Sequence, residues 1–161
     1  MTANNRPVTM LSTPSDREIV ITRVFNAPCR LVFEAWTTPA HVRHWYGPAD
    51  LTLSVCEIDL RPGGSYRYVL RDAAGQDYAF SGVYHEVVPH VRLVYTDRFE
   101  GVPGPGALVT VTFEEHDGKT TLTSRSLYPT VEARDAHIRS GMEQGMRDTL
   151  DRLEEHLQTL A

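Results

Sequence analysis

The chain has 161 residues, of which 41% are hydrophobic and 23% are charged, the composition of an ordinary soluble globular protein. Asp and Glu number 21 against 16 Lys and Arg, which gives a formal charge of −5. This acidic excess argues against general nucleic-acid binding, which needs a basic surface, and against docking on an anionic membrane.

Residues 1–16 are polar, contain two prolines and lack the apolar core of a signal peptide, so they are predicted to form a disordered tail before a single domain at 17–161. No segment approaches the ~20 apolar residues that span a bilayer. Cys29 and Cys56 show no zinc-type or CxxC spacing. Two free thiols are typical of a reducing compartment, and we expect a cytoplasmic protein.

The β-branched run from Glu18 to Phe25 predicts a first strand. Pro28 then suits the start of a helix, where its missing N–H would be unpaired anyway. A second short helix begins at Pro39 and ends at the Gly47-Pro48 stop. Two short helices are therefore expected directly after the first strand.

Alternating segments with turn signals between them predict six further antiparallel strands, at residues 51–58, 65–71, 77–87, 91–99, 107–115 and 120–128. One long helix is expected from about Val131 to Leu160, because its apolar residues recur at steps of three or four. The predicted fold is α+β: a curved antiparallel sheet of about seven strands wrapped around a long C-terminal helix.

Asp117-Gly118 is a strong two-residue hairpin signal, since both turn positions need positive φ. The register that it sets places Phe113 opposite Leu122, and pairs residues 111 with 124 and 109 with 126. Because alternate side chains share a face, Ser124 and Ser126 should point inward among apolar neighbours. The hairpin near Pro89, if its loop has an even number of residues, places aromatics on one face in the same way.

An inward surface of aromatic rings, adaptable methionines and a few hydroxyls predicts a site for an apolar ligand. The residues expected to line it are Phe80, Tyr84, Tyr95, Phe113, Ser124, Ser126, Met142 and Met146. The alternative is that the same side chains fill an ordinary core.

Catalytic and metal-binding patterns are weak. No nucleophile elbow, phosphate loop or paired-carboxylate motif is found, and Glu86, on the predicted inward face, is read as a surface partner. His41 and His44 could reach one metal ion, but no acidic third ligand has suitable spacing nearby, and the other histidines form no ligand pattern. We therefore predict no catalytic residue, no metal site and no cofactor.

Four segments carry a family resemblance. Residues 36–48 hold two tryptophans around Pro39 and end on Tyr-Gly-Pro, and residues 59–66 contain two successive glycines; residues 82–96 and 141–146 add a hairpin and a helix motif. Together they resemble the family of domains similar to the C-terminal domain of the Hsp90 ATPase activator. That family belongs to the SRPBCC, or Bet v 1/START-like, helix-grip superfamily, whose sheet folds around a long helix to enclose a cavity.

The resemblance implies a cavity, and family members usually have Trp at the position of Met146, so this pocket should be larger or more pliable. Three functions stay open. They are non-enzymatic binding of a small hydrophobic molecule, which we favour, a cavity enzyme of the polyketide cyclase or aromatase type, and a protein-interaction module with an Hsp90-like chaperone as its partner. The enzyme would need a carboxylate or a histidine inside the pocket.

Overall fold

The computed structural model describes residues 9–160. These residues form one antiparallel sheet of eight strands and four helices. The strands are β1 (Met10–Ser12), β2 (Glu18–Phe25), β3 (Thr52–Ile58), β4 (Ser65–Arg71), β5 (Asp77–Val88), β6 (Arg92–Phe99), β7 (Ala107–His116) and β8 (Lys119–Leu127). The helices are α1 (Cys29–Thr37), α2 (Pro39–Trp45), α3 (Val131–Arg139) and α4 (Met142–Leu160).

The sheet runs in the order β1-β2-β8-β7-β6-β5-β4-β3. Strands β3 to β8 follow one another as a meander, while α1 and α2 carry the chain from β2 to the far edge at β3. Both helices end where extended backbone begins, at Thr38 and at Tyr46. The predicted helix-grip architecture is confirmed, with eight strands rather than seven.

The additional strand, β1, lies within the segment that the sequence predicted to be a disordered tail. Met10–Ser12 pairs antiparallel with residues 20–22 of β2. Arg23 helps to hold this segment, since its guanidinium donates to Thr9 Oγ1 at 3.0 Å and to Asp151 at 2.6 Å. Three residues are too few to show an alternating pattern, and the first eight residues of the predicted tail lie outside the described range.

The single long C-terminal helix was a wrong prediction, because the chain forms α3 and α4 with a break between them. Gly141 has a φ of +85°, a left-handed conformation that ends a helix and that glycine adopts without steric cost. Thr130 caps the start of α3 by accepting from the Ala133 backbone N–H. Within α4, the predicted apolar stripe is buried at Leu150, Leu153 and Leu157 only.

The filled core, as we call it, lies where α1 and the last turns of α4 cover the sheet. Its side chains are almost completely buried, among them Phe25, Val32, Val111, Phe113, Leu153 and Leu157. Trp45 joins them and donates from its indole nitrogen to the Ala35 carbonyl at 3.0 Å. Cys29 and Cys56 are free and buried.

Candidate functional site: a tyrosine-walled cavity

A large cavity lies between the sheet, α3 and the first turns of α4. Its volume is about 920 Å³, within the range of small-molecule sites. A space of this size that opens to the surface and includes polar groups holds water, a ligand or both.

One wall of the cavity is a cluster of tyrosine rings on β4, β5 and β6. The ring centroids of Tyr66 and Tyr84 are 5.6 Å apart, those of Tyr66 and Tyr95 are 5.5 Å apart, and those of Tyr84 and Tyr95 are 5.9 Å apart. Tyr68 lies 5.0 Å from Tyr66, and Tyr46 contacts Tyr68 in turn. Burial raises the pKa of all five hydroxyls, so they stay neutral hydrogen-bond donors at physiological pH.

Asp97, on β6, places a carboxyl group in this wall. Its Oδ1 accepts from the Tyr66 hydroxyl at 2.8 Å, and the same hydroxyl lies 2.9 Å from the Thr96 carbonyl. Desolvation raises the pKa of Asp97, and the hydrogen bond from Tyr66 offsets this only in part. The carboxyl is therefore easier to protonate than an exposed aspartate.

Gly82 allows Tyr66 to reach Asp97. It lies on β5 opposite Tyr66, between β4 and β6. A Cβ atom at this position would come within 2.8 Å of the Tyr66 ring and 1.7 Å of the Thr96 carbonyl oxygen. Only a residue without a side chain lets the Tyr66 ring cross β5, so the hydrogen bond between Tyr66 and Asp97 depends on Gly82.

The remaining walls come from β7, β8 and the helices. Ser124 and Ser126 line the cavity beside Val109, and Met142 and Met146 face it from α4. Helix α3 covers the cavity with Ala133, Ala136 and His137, yet it has no buried residue of its own. Helix α3 is therefore a thin cover over the cavity, meaning a single helix that lines it without packing any fully buried side chain against the sheet.

The cavity reaches the surface beside the glycine- and proline-rich loop between β6 and β7. Val102, Pro103 and Gly104 line it and are exposed to solvent. Two carboxylates also line the cavity: Asp50, which is exposed, and Asp72. A small molecule has a route of entry at this rim.

Seven of the eight side chains predicted to line a cavity do so: Phe80, Tyr84, Tyr95, Ser124, Ser126, Met142 and Met146. The register predicted from Asp117-Gly118 is observed, with φ values of +52° and +76° at the turn and Phe113 opposite Leu122. Whether these residues bind a ligand stays a prediction.

Phe113 is the exception, because it lies in the filled core instead of the cavity. Its ring packs 5.4 Å from Phe33 and 6.4 Å from Trp36, measured between centroids. Strand alternation predicts which face a side chain takes, but not what covers that face at each point along the strand. Near the β7–β8 turn the cover is α1, which leaves no space.

The β5–β6 hairpin places its side chains on the predicted faces, but its loop length differs from the one predicted. Its loop, residues 89–91, has three residues rather than an even number, and a register shift between Tyr84 and Glu86 restores the pairing of Tyr84 with Tyr95. The same shift pairs Glu86 with Val94. Glu86 forms an ion pair with Arg92 away from the cavity, so it is the surface partner that the sequence suggested.

Sequence reasoning missed Asp97 and Tyr66, although a signal for Asp97 was present. Tyr95, Asp97 and Phe99 alternate along one strand, so the face predicted for the two aromatics includes the carboxyl between them. Tyr66 could not be placed, because the five-residue connection from β4 to β5 sets no register by itself.

His41 and His44 gain a third histidine from α4. His41 Nδ1 lies 2.9 Å from His156 Nε2, and the His44 ring stacks on His156 with centroids 4.7 Å apart. Within residues 9–160, however, no three His, Cys, Asp or Glu side chains are arranged to hold a metal ion. None of the helices described there is long and apolar enough to cross a membrane.

Comparison with known proteins identifies the family of this chain. Residues 26–158 match the family described as activator of Hsp90 ATPase homolog 1-like protein. The chain belongs to this family. A search of curated proteins finds no match.

Solved structures of bacterial proteins share the fold of this Hsp90-activator-like domain. A Rhodobacter sphaeroides protein superimposes with a TM-score of 0.89 at 25% identity, covering 94% of this chain and 98% of its own. A Mycobacterium smegmatis protein gives 0.82 at 27% identity, covering 92% and 96%. A Staphylococcus epidermidis protein gives 0.80 at 32% identity, covering 94% and 95%. These likenesses extend over nearly the whole chain.

Proposed function

We propose that this protein binds a small hydrophobic molecule in its internal cavity, without transforming it. The observation that carries the proposal is the cavity itself, about 920 Å³ of space lined by aromatic rings, two methionines and a few polar groups. Such a lining is typical of small-molecule sites, in which apolar surface supplies affinity and a few polar groups fix orientation. A protein-interaction module, by contrast, acts through its surface and needs no internal cavity.

Met146 offers a test, because its half-buried side chain lines the cavity from α4. Met146→Trp adds a large rigid side chain to this wall, and we expect it to weaken binding of a neutral solvatochromic dye such as Nile red at least about tenfold. The matched control is Gln144→Trp, on the same helix at an exposed position, which should leave dye affinity unchanged.

Fluorescence titration of the dye measures both affinities, and circular dichroism checks that both variants are folded. Equal dye affinities in Met146→Trp and wild type would count against the cavity as the binding site. Native and denaturing mass spectrometry of the purified wild-type protein adds a second readout, since extra mass present only in the native spectrum would show a retained molecule.

A cavity enzyme of the cyclase type is the second candidate, favoured by one observation. Asp97 and His137 both line the cavity, where an acid or base would be needed. The His137 Nδ1 atom lies 2.5 Å from the Tyr128 hydroxyl, and partial desolvation lowers the pKa of the imidazole. A molecule recovered from the protein that wild type changes on incubation, and that Asp97→Asn leaves intact, would favour this function over simple binding.

A further inference from the structure

The charged groups around the cavity are mainly acidic. Asp50, Asp72 and Asp97 contribute to the lining, while Arg98 is the sole Arg or Lys among the described residues that do so. His137 adds little positive charge, because partial desolvation lowers its pKa and favours its neutral form. A cationic ligand is therefore favoured electrostatically over an anionic one.

Asp97 has no cationic partner within residues 9–160. Its carboxyl forms a hydrogen bond with Tyr66 through Oδ1, and no ion pair is found for it in that range. Arg67 and Arg71 pair with Glu100 and Asp77 instead, and Arg98, the arginine that lines the cavity, forms no ion pair with Asp97. No hydrogen bond of Oδ2 is found among the described residues either, which leaves one carboxyl oxygen for a ligand.

The aromatic rings beside this carboxyl suit a positive charge as well. Tyr66, Tyr84 and Tyr95 form a three-ring cluster with centroid separations of 5.5 to 5.9 Å. The face of a tyrosine ring attracts an ammonium group within about 6 Å of its centroid, more strongly where water is excluded. A carboxyl with one uncommitted oxygen and a wall of π systems are complementary to the same chemical group.

We propose that the ligand of this cavity is a hydrophobic amine, whose ammonium group pairs with Asp97 beside the tyrosine rings while its apolar body lies toward Met142 and Met146. The inference rests on the proposed function and names the ligand class of the same site. An ammonium N–H donates to Oδ2, and Tyr66 continues to donate to Oδ1. Where Asp97 is protonated in the free protein, its proton passes to solvent as the ammonium binds.

The test compares two competitors that differ in one group. Nile red reports on occupancy of the cavity, and naphthylmethylamine and naphthylmethanol compete with it at pH 7, the amine being protonated. In wild type we expect the amine to displace the dye at a concentration at least about tenfold below that of the alcohol, because a charge-assisted hydrogen bond in a desolvated site is stronger than a neutral one.

Asp97→Asn keeps the shape of the side chain and removes its charge, so the two competitors should become equal within about threefold. The control is Asp117→Asn, an exposed carboxyl on the β7–β8 turn that is not part of the cavity lining, which should retain the preference for the amine.

Equal potency of amine and alcohol in wild type would overturn the amine inference and leave the proposed function standing. This comparison needs no variant, so it holds even if Asp97→Asn fails to fold. An amine preference that survives in folded Asp97→Asn would overturn the role of Asp97. Failure of the dye and of both competitors to bind would contradict the proposed function itself.

Discussion

The same sheet is covered in two different ways. At the filled core, α1 and the last turns of α4 place Phe33, Leu153 and Leu157 against it, and all three are buried. At the cavity, α3 covers the sheet, but none of the residues of α3 is itself buried, and Met146 of α4 remains half-buried. Aromatic side chains are present in both regions. What covers them, rather than how apolar they are, decides whether the space is filled.

The largest expected effect is at Phe113. Phe113→Ala would leave a void in the filled core, and we expect it to lower the free energy of unfolding by about 3–5 kcal/mol. The matched change in the cavity wall is Phe80→Ala, whose ring contacts Phe99 and borders space that already exists. It should cost less stability but weaken dye binding.

Denaturant unfolding and dye titration on both variants test this contrast. The comparison fails if Phe80→Ala destabilises as much as Phe113→Ala, or if Phe113→Ala, where still folded, loses dye affinity to the same degree.

A smaller effect is expected at the two glycines near the start of α4. Gly141 has a positive φ, so Gly141→Ala should lower stability by about 1–2 kcal/mol through backbone strain. Gly145 lies inside α4 with nothing within 4 Å of a Cβ placed there, so Gly145→Ala should raise stability by about 0.5–1 kcal/mol.

Thermal unfolding of the two variants checks the opposite signs. If Gly141→Ala proves as stable as wild type, the break between α3 and α4 is not enforced by that residue, and the origin of the thin cover over the cavity needs another explanation.

The smallest effect is on pH dependence, at the α2–α4 contact outside the cavity. The pKa of His156 is lowered, first by desolvation and then by His44 and His41. Its neutral form therefore contributes stability above the unfolded value near 6.5, and that stability is lost as the pH falls through the lower folded value. Arg152, which donates to the His44 carbonyl, adds positive charge nearby.

We expect the unfolding midpoint of wild type to fall more steeply between pH 7 and pH 5 than that of His156→Gln. The control is His116→Gln, on the exposed β7–β8 turn, which should follow wild type. Parallel curves for wild type and His156→Gln would show that the histidine cluster does not resist protonation.

Much of this contrast could be read from the sequence, where local chemistry determines geometry. Asp117-Gly118 sets the register of β7 and β8, because few residue pairs take positive φ at both turn positions. The inward faces of Tyr84, Tyr95, Ser124 and Ser126 follow from alternation. Two features of the tertiary structure could not be predicted from the sequence. Phe113 is covered by α1, and Tyr66 reaches Asp97 only because Gly82 lies between them.

The central claim is that a small molecule occupies the cavity, and methionine-methyl NMR tests it most directly. Of the four methionines, Met142 and Met146 line the cavity, whereas Met10 is 65% exposed on β1. Titration of Nile red should shift the methyl signals of Met142 and Met146 and leave that of Met10 in place. Unmoved signals of Met142 and Met146 at saturating dye, or an equal shift of Met10, would contradict the account.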